Sequence, residues 1–139
     1  MNRLCHGACL GLLLAALGPS FTARAHEIRP ALLDIEEAAP GVFEVTWKLP
    51  GKGDRALGLT PIFPENLEAV APATVRQVPG AWVQRWTYKS DGTPLVGQTI
   101  SIDGLSGVQT DVLLRVELLD GSTHRAIMRP NAPTFEIPA

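Results

Sequence analysis

Apolar and polar residues alternate along short segments of this chain, and each segment ends at a Pro, Gly or Asp turn. A period of two puts successive side chains on opposite faces of a strand. Beyond residue 25 no stretch sustains a capped helical period, so the pattern predicts an all-β fold. From Ala31 to Ile35, Ala31, Leu33 and Ile35 alternate with Leu32 and Asp34. Pro40-Gly41 supplies a turn, since proline fixes φ and glycine accepts positive φ. Phe43, Val45, Trp47 and Leu49 then point one way, and Val42, Glu44, Thr46 and Lys48 the other. These two segments form a first hairpin.

Ala56 to Ile62 reads as a third strand, with Pro61 and Pro64 placing it at an edge or ending it there. Residues 64 to 80 form a long connection with one short strand near Thr74 to Val78. Ala81 to Tyr88 resumes the alternation, with Trp82, Trp86 and Tyr88 on one face. Strands follow over Thr99 to Asp103 and over Asp111 to Leu119, where Val112, Leu114, Val116 and Leu118 line the inner face. Arg125 to Arg129 and Thr134 to Ile137 complete the set. Seven or eight amphipathic strands, each with one face to bury, predict an immunoglobulin-like antiparallel β-sandwich.

Residues 1–25 do not belong to that pattern. Arg3, the apolar stretch Ala8 to Leu17, Gly18-Pro19 and Ala23-Arg24-Ala25 match the charged, apolar and small-x-small parts of a cleavable secretory signal. The apolar stretch is shorter than the ~20 residues a membrane span needs, so no span is expected after cleavage. Cleavage after Ala25 leaves residues 26–139 as one domain in the periplasm or outside the cell, large enough for a single core. Both cysteines, Cys5 and Cys9, leave with the signal, which excludes a disulfide, a thiolate metal site and a cysteine nucleophile. Ten basic residues remain against fourteen acidic ones, with no basic run, so nucleic acid is not an expected partner.

Processing also creates the strongest candidate for metal chemistry. His26 becomes terminal, so its α-amino group and imidazole can chelate one ion. The other histidine of the processed chain, His124, would complete a three-nitrogen brace suited to Cu(II). A weaker site would join His26 to a carboxylate such as Glu27. The amino-terminal copper and nickel motif that needs a third-position histidine is excluded, because Ile28 stands there.

The placement of His124 depends on its hairpin. A three-residue loop Leu119-Asp120-Gly121, with Gly121 left-handed and Leu118 paired with Ser122, puts His124 opposite Val116 on the apolar face. A two-residue Asp-Gly loop puts it opposite Glu117 on the outer face. The first is preferred, because it turns Ala126 and Met128 inward and leaves Arg125 and Arg129 in water. Trp47, Trp82, Trp86 and Tyr88 fit either an exposed platform or, at strand spacing, core and strand-pair positions. The carboxylates Asp34, Glu36, Glu37, Asp103, Asp111 and Glu117 make no short metal loop. Gly104-Leu105-Ser106-Gly107 is one residue short of a nucleophile elbow, so no hydrolase is expected.

Several segments in order carry a resemblance: Ala25-His26-Glu27-Ile28-Arg29-Pro30-Ala31, Pro40-Gly41-Val42-Phe43-Glu44-Val45-Thr46-Trp47-Lys48-Leu49-Pro50, and Val75-Arg76-Gln77-Val78-Pro79-Gly80-Ala81-Trp82 with Arg85-Trp86. Ile102-Asp103-Gly104-Leu105, Thr110-Asp111-Val112-Leu113 and Ala132-Pro133-Thr134-Phe135 continue it. Together they resemble the exported amino-terminal region of HupE/UreJ-type membrane proteins, across essentially all of residues 26–139.

The resemblance implies a periplasmic domain followed by transmembrane helices, in a family associated with nickel or cobalt uptake. The sequence stops at Ala139, where that membrane region would begin, and lacks its intramembrane histidine and aspartate motif. Transport is therefore not expected of this chain by itself. Three readings stand: a non-enzymatic module of a nickel or cobalt uptake system that binds metal or docks to a membrane transporter, a soluble copper protein using His26 and His124, and a structural or interaction domain of the cell envelope.

Overall fold

A computed structural model describes residues 29–52 and 55–139. The signal-peptide assignment and His26 lie outside these residues. The described chain is all-β, apart from a single-turn 3-10 helix at Leu105–Gly107. Its strands are β1 (Ala31–Ala39), β2 (Val42–Lys52), β3 (Arg55–Ala56), β4 (Thr60–Ile62), β5 (Leu67–Ala69), β6 (Thr74–Val78), β7 (Ala81–Ser90), β8 (Thr99–Asp103), β9 (Val112–Glu117), β10 (Thr123–Met128) and β11 (Thr134–Glu136). They form a sandwich of two sheets. The larger runs β10-β9-β1-β2-β7-β5, with β6 also on β7 and β3 on β2; the smaller runs β11-β8-β4.

The alternation seen in the sequence becomes the core. Leu33 faces Trp47 and Ile35 faces Val45 across the first hairpin, and Val45 and Phe43 face Trp86 and Tyr88 on β7. Ala31, Leu33 and Ile35 are fully buried, as are Val112 and Val116 beside them. From the opposite sheet Ile100 and Ile102 close the layer, joined by Ile137 and by Leu105 of the 3-10 turn. Strands β1, β2, β8 and β9 thus each bury one face, which is why two layers are required.

Two expectations change. Among the described residues there are eleven strands rather than seven or eight. The segment Ala56 to Ile62 is interrupted after Ala56, so that β3 stays on β2 while β4 crosses to the small sheet. There β4 is an edge strand, which tolerates the missing Pro61 donor. The connection 64 to 80 holds β5 as well as β6, the two lying end to end along the same edge of β7. The pairing is also not wholly antiparallel, because β1 lies parallel to β9. The last hairpin returns to the free side of β1, and β9 enters there in the same direction.

Gly104 fixes one corner of the small sheet. Its φ is +83°, and a Cβ at this position would overlap the Gly58 carbonyl oxygen. Gly107, three residues on, faces open space. Gly104→Ala should therefore lower unfolding free energy by more than about 1 kcal/mol, with Gly107→Ala nearly neutral, as read by urea unfolding. In the same assay Leu33→Ala should cost about 2–5 kcal/mol, whereas Leu119→Ala, on an exposed loop side chain, should stay within about 0.5 kcal/mol.

Candidate functional site

The β9–β10 hairpin adopts the three-residue loop. The Leu118 amide donates to the Ser122 carbonyl at 2.9 Å, and the Gly121 amide, at φ +87°, donates to the Leu118 carbonyl at 2.9 Å. Asp120 Oδ1 accepts the Ser122 amide at 2.8 Å. His124 consequently sits opposite Val116, half-buried on the apolar face, with Ala126 opposite Leu114 and Met128 opposite Val112.

The strand register sets the reach a His26–His124 brace would need. Ala31 is level with Val112, whereas His124 is level with Val116 and Ile35, four residues further along and two strands across. At ~3.3 Å per residue and ~4.8 Å per strand the separation is roughly 16 Å. Five extended residues span at most about 18 Å, but Arg29 already lies beyond Ala31 on the side away from His124, its carbonyl accepting from Thr110 Oγ1. A brace would therefore need the residues before Arg29 to cover a still longer distance. Among the described residues no group of three or more His, Cys, Asp or Glu side chains is arranged to hold a metal ion.

The other candidate groups serve the fold. Trp47 is buried, and Trp86 and Tyr88 pack with Phe63 at ring separations of 6.3 Å and 4.7 Å. Burial raises the Tyr88 pKa above the usual phenol value. At the hairpin end of the sandwich a hollow of about 410 Å³ opens beside Glu37, Phe43 and Leu95. Glu37 is already committed there: Oε1 accepts the Gly41 amide and Oε2 the Leu119 amide, each at 3.0 Å.

On the outer face of the large sheet, cross-strand registers order the side chains into three rows. Ile127, Leu113, Leu32, Lys48 and Val83 form the first, running from β10 to β7. Arg125, Arg115, Asp34, Thr46 and Arg85 form the second, and Thr123, Glu117, Glu36, Glu44 and Thr87 the third. Arg115 Nε meets Asp34 Oδ1 at 2.7 Å, and Nη1 lies 3.5 Å from Glu117 Oε2. The Asp34 hydrogen bond, and then its charge, raise the Arg115 pKa.

Compared with protein-family models, curated proteins and solved structures, the chain matches none. The chemistry of this surface is therefore read from its own side chains.

An apolar row is unusual on the solvent face of a sandwich sheet, where polar residues normally alternate outward. Ile127 is 51% exposed and Leu113 39%. With Leu32, Arg115 and Arg125 they line a groove of about 460 Å³, and a second hollow of about 350 Å³ beside Arg29 and Pro50 shares Leu32 and Leu113 with it. Contiguous exposed apolar surface makes this row a candidate recognition site. The sequence holds a partial signal for it in the unbroken apolar runs Ala31-Leu32-Leu33, Val112-Leu113-Leu114 and Ala126-Ile127-Met128. A run of three leaves one apolar side chain on the outer face, but only the register places the three middle residues side by side.

The hairpin that carries this edge should weaken in acid. Hydrogen bonds from Ser122 depress the Asp120 pKa below its ordinary value. A carboxyl depressed on folding contributes stability above its unfolded pKa, and that contribution is lost as pH falls through the lower folded value. Asp120→Ala should lower Tm at neutral pH, and the difference from the unaltered chain should shrink as the medium is acidified through that window, as followed by circular dichroism.

Proposed function

We propose that this chain is a non-enzymatic docking module of the extracytoplasmic space, serving a membrane protein of the HupE/UreJ nickel or cobalt uptake class through the outer face of its large sheet. The observation that supports this is the outer row of half-buried Leu32 and exposed Leu113 and Ile127, aligned over three strands beside a cation-rich row. It is a surface feature that folding does not require, since the inner face of the same strands carries the core. The sequence resemblance adds the class of partner and the compartment.

A copper brace of His26 and His124 ranks second, because of the reach it demands. Nickel, cobalt or copper enters the docking reading as the partner's cargo. Among the described residues no helix is long and apolar enough to cross a membrane.

The test is binding of the purified chain to a HupE/UreJ-type transmembrane bundle that lacks its own exported region, held in lipid nanodiscs. Saturable binding at micromolar concentration is expected, weakened about tenfold when Leu113 and Ile127 are both changed to serine. No binding, or binding indifferent to those two changes, overturns the proposal.

A further inference from the structure

The outer apolar row ends on β10, and β10 is an open edge of the large sheet. In an antiparallel pair, residues alternate between those bonded to the neighbouring strand and those whose amide and carbonyl point away. The bonded Leu118–Ser122 pair fixes the phase here, so His124, Ala126 and Met128 point their backbone groups at β9. Thr123, Arg125 and Ile127 point theirs outward. All three are exposed, and no backbone partner for them lies among the described residues. Such a row of free donors and acceptors is the template to which an extended peptide adds as a further strand.

The side chains define what that strand must carry. Arg125, Ile127 and Arg129 share the outer face, spaced two residues apart. Among the described residues neither Arg125 nor Arg129 enters an ion pair, and the residue opposite Arg125 on β9 is another arginine, Arg115. No carboxylate lies on β10. A second copy of this chain is therefore a poor occupant, because antiparallel self-pairing would bring these arginines together. An added strand with a carboxylate opposite Arg125 and an apolar residue opposite Ile127 satisfies that charge and extends the apolar row by one strand, ending before Arg129, whose amide and carbonyl already bond to Ala132.

We infer that β10 is the docking edge for an extended segment of the partner protein bearing a carboxylate two residues from an apolar side chain, bound by β-strand addition. This rests on the docking reading and names its mode and recognition pattern. The intervening residues of the segment face inward beside Ala126, which is half-buried at the margin of the core, so small residues suit them. Backbone hydrogen bonds supply much of the affinity, and the charge pairing with Arg125 supplies orientation and choice of partner.

The experiment uses a fluorescent acidic peptide, SETVTES, and its basic counterpart, SKTVTKS, against the purified chain, read by anisotropy and by amide hydrogen exchange. The acidic peptide is expected to bind at least about tenfold more tightly than the basic one, and Arg125→Glu is expected to reverse that preference. Exchange should slow at Thr123, Arg125 and Ile127, with little change at His124, Ala126 and Met128, which already bond to β9. Ile127→Pro should abolish binding by removing an outward-facing donor, while near-native exchange elsewhere shows that the fold survives.

Equal affinity for both peptides, or binding without protection of those three amides, overturns the inference. So does sedimentation of the free chain as a dimer that Arg125→Glu leaves intact. If neither peptide binds while the nanodisc bundle still binds in a manner sensitive to Leu113 and Ile127, the edge inference fails and the docking module stands. If the bundle fails as well, both fail.

Discussion

The parallel seam between β1 and β9 joins two parts of the chain that fold locally as hairpins. On one side stand β1 and β2 with β7, and on the other β9 and β10. Without the seam each part would leave an unpaired edge and half of a core. Four hydrogen-bonded contacts hold it in one register. The Ala31 amide donates to the Asp111 carbonyl at 2.9 Å, and Thr110 Oγ1 to the Arg29 carbonyl at 3.1 Å. Arg115 Nε donates to Asp34 at 2.7 Å, and the Leu119 amide to Glu37 at 3.0 Å. These partners are separated by 80 to 82 residues. Such a pairing carries a loop-closure cost before any local contact rewards it, which makes it a natural late step of folding.

A one-residue slip at this seam would do more than break those bonds. Side chains on a strand alternate with a period of two, so a slip would turn Val112, Leu114 and Val116 outward and bring Leu113, Arg115 and Glu117 against the core. The Asp34–Arg115 pair is therefore best understood as a specifier of register. Its groups are 30% and 37% exposed, and exposed ion pairs contribute little to net stability. A charge pair on the wrong face would be desolvated without its partner, and that penalty disfavours the slipped alternatives.

The inner face of this sandwich is legible in the sequence because burial is recorded strand by strand. Phe43, Val45, Trp47 and Leu49 alternate cleanly with polar residues, and so do Ala31, Leu33 and Ile35 with their neighbours. The tip at Leu119-Asp120-Gly121 is equally local, since Gly121 alone supplies the left-handed position that selects the loop. What is not legible depends on more than one segment. Strand β5, Leu67–Ala69, is three residues long and exists because β7 extends past the end of β6 and offers backbone partners there. The outer row is hidden for the same reason: Leu32, Leu113 and Ile127 lie far apart in sequence, and each looks like an ordinary member of an apolar run. His26, proposed from the sequence as a ligand, lies outside the described residues, so the structure bears on the brace only through the positions of His124 and of Arg29 and Ala31.

The core and the apolar outer row occupy opposite faces of the same strands, and β10 makes the division sharpest. Met128 is 1% exposed beneath Val112, and its neighbour Ile127 is 51% exposed on the outer face. Successive residues of one strand thus stand in different surroundings, one packed in the core and the other exposed on the outer face. Folding alone would be served as well by a polar residue at position 127, since nothing in the core touches that face. An apolar residue there, flanked by two arginines and placed on a strand whose outward backbone is unpaired, is the feature on which the proposed docking rests.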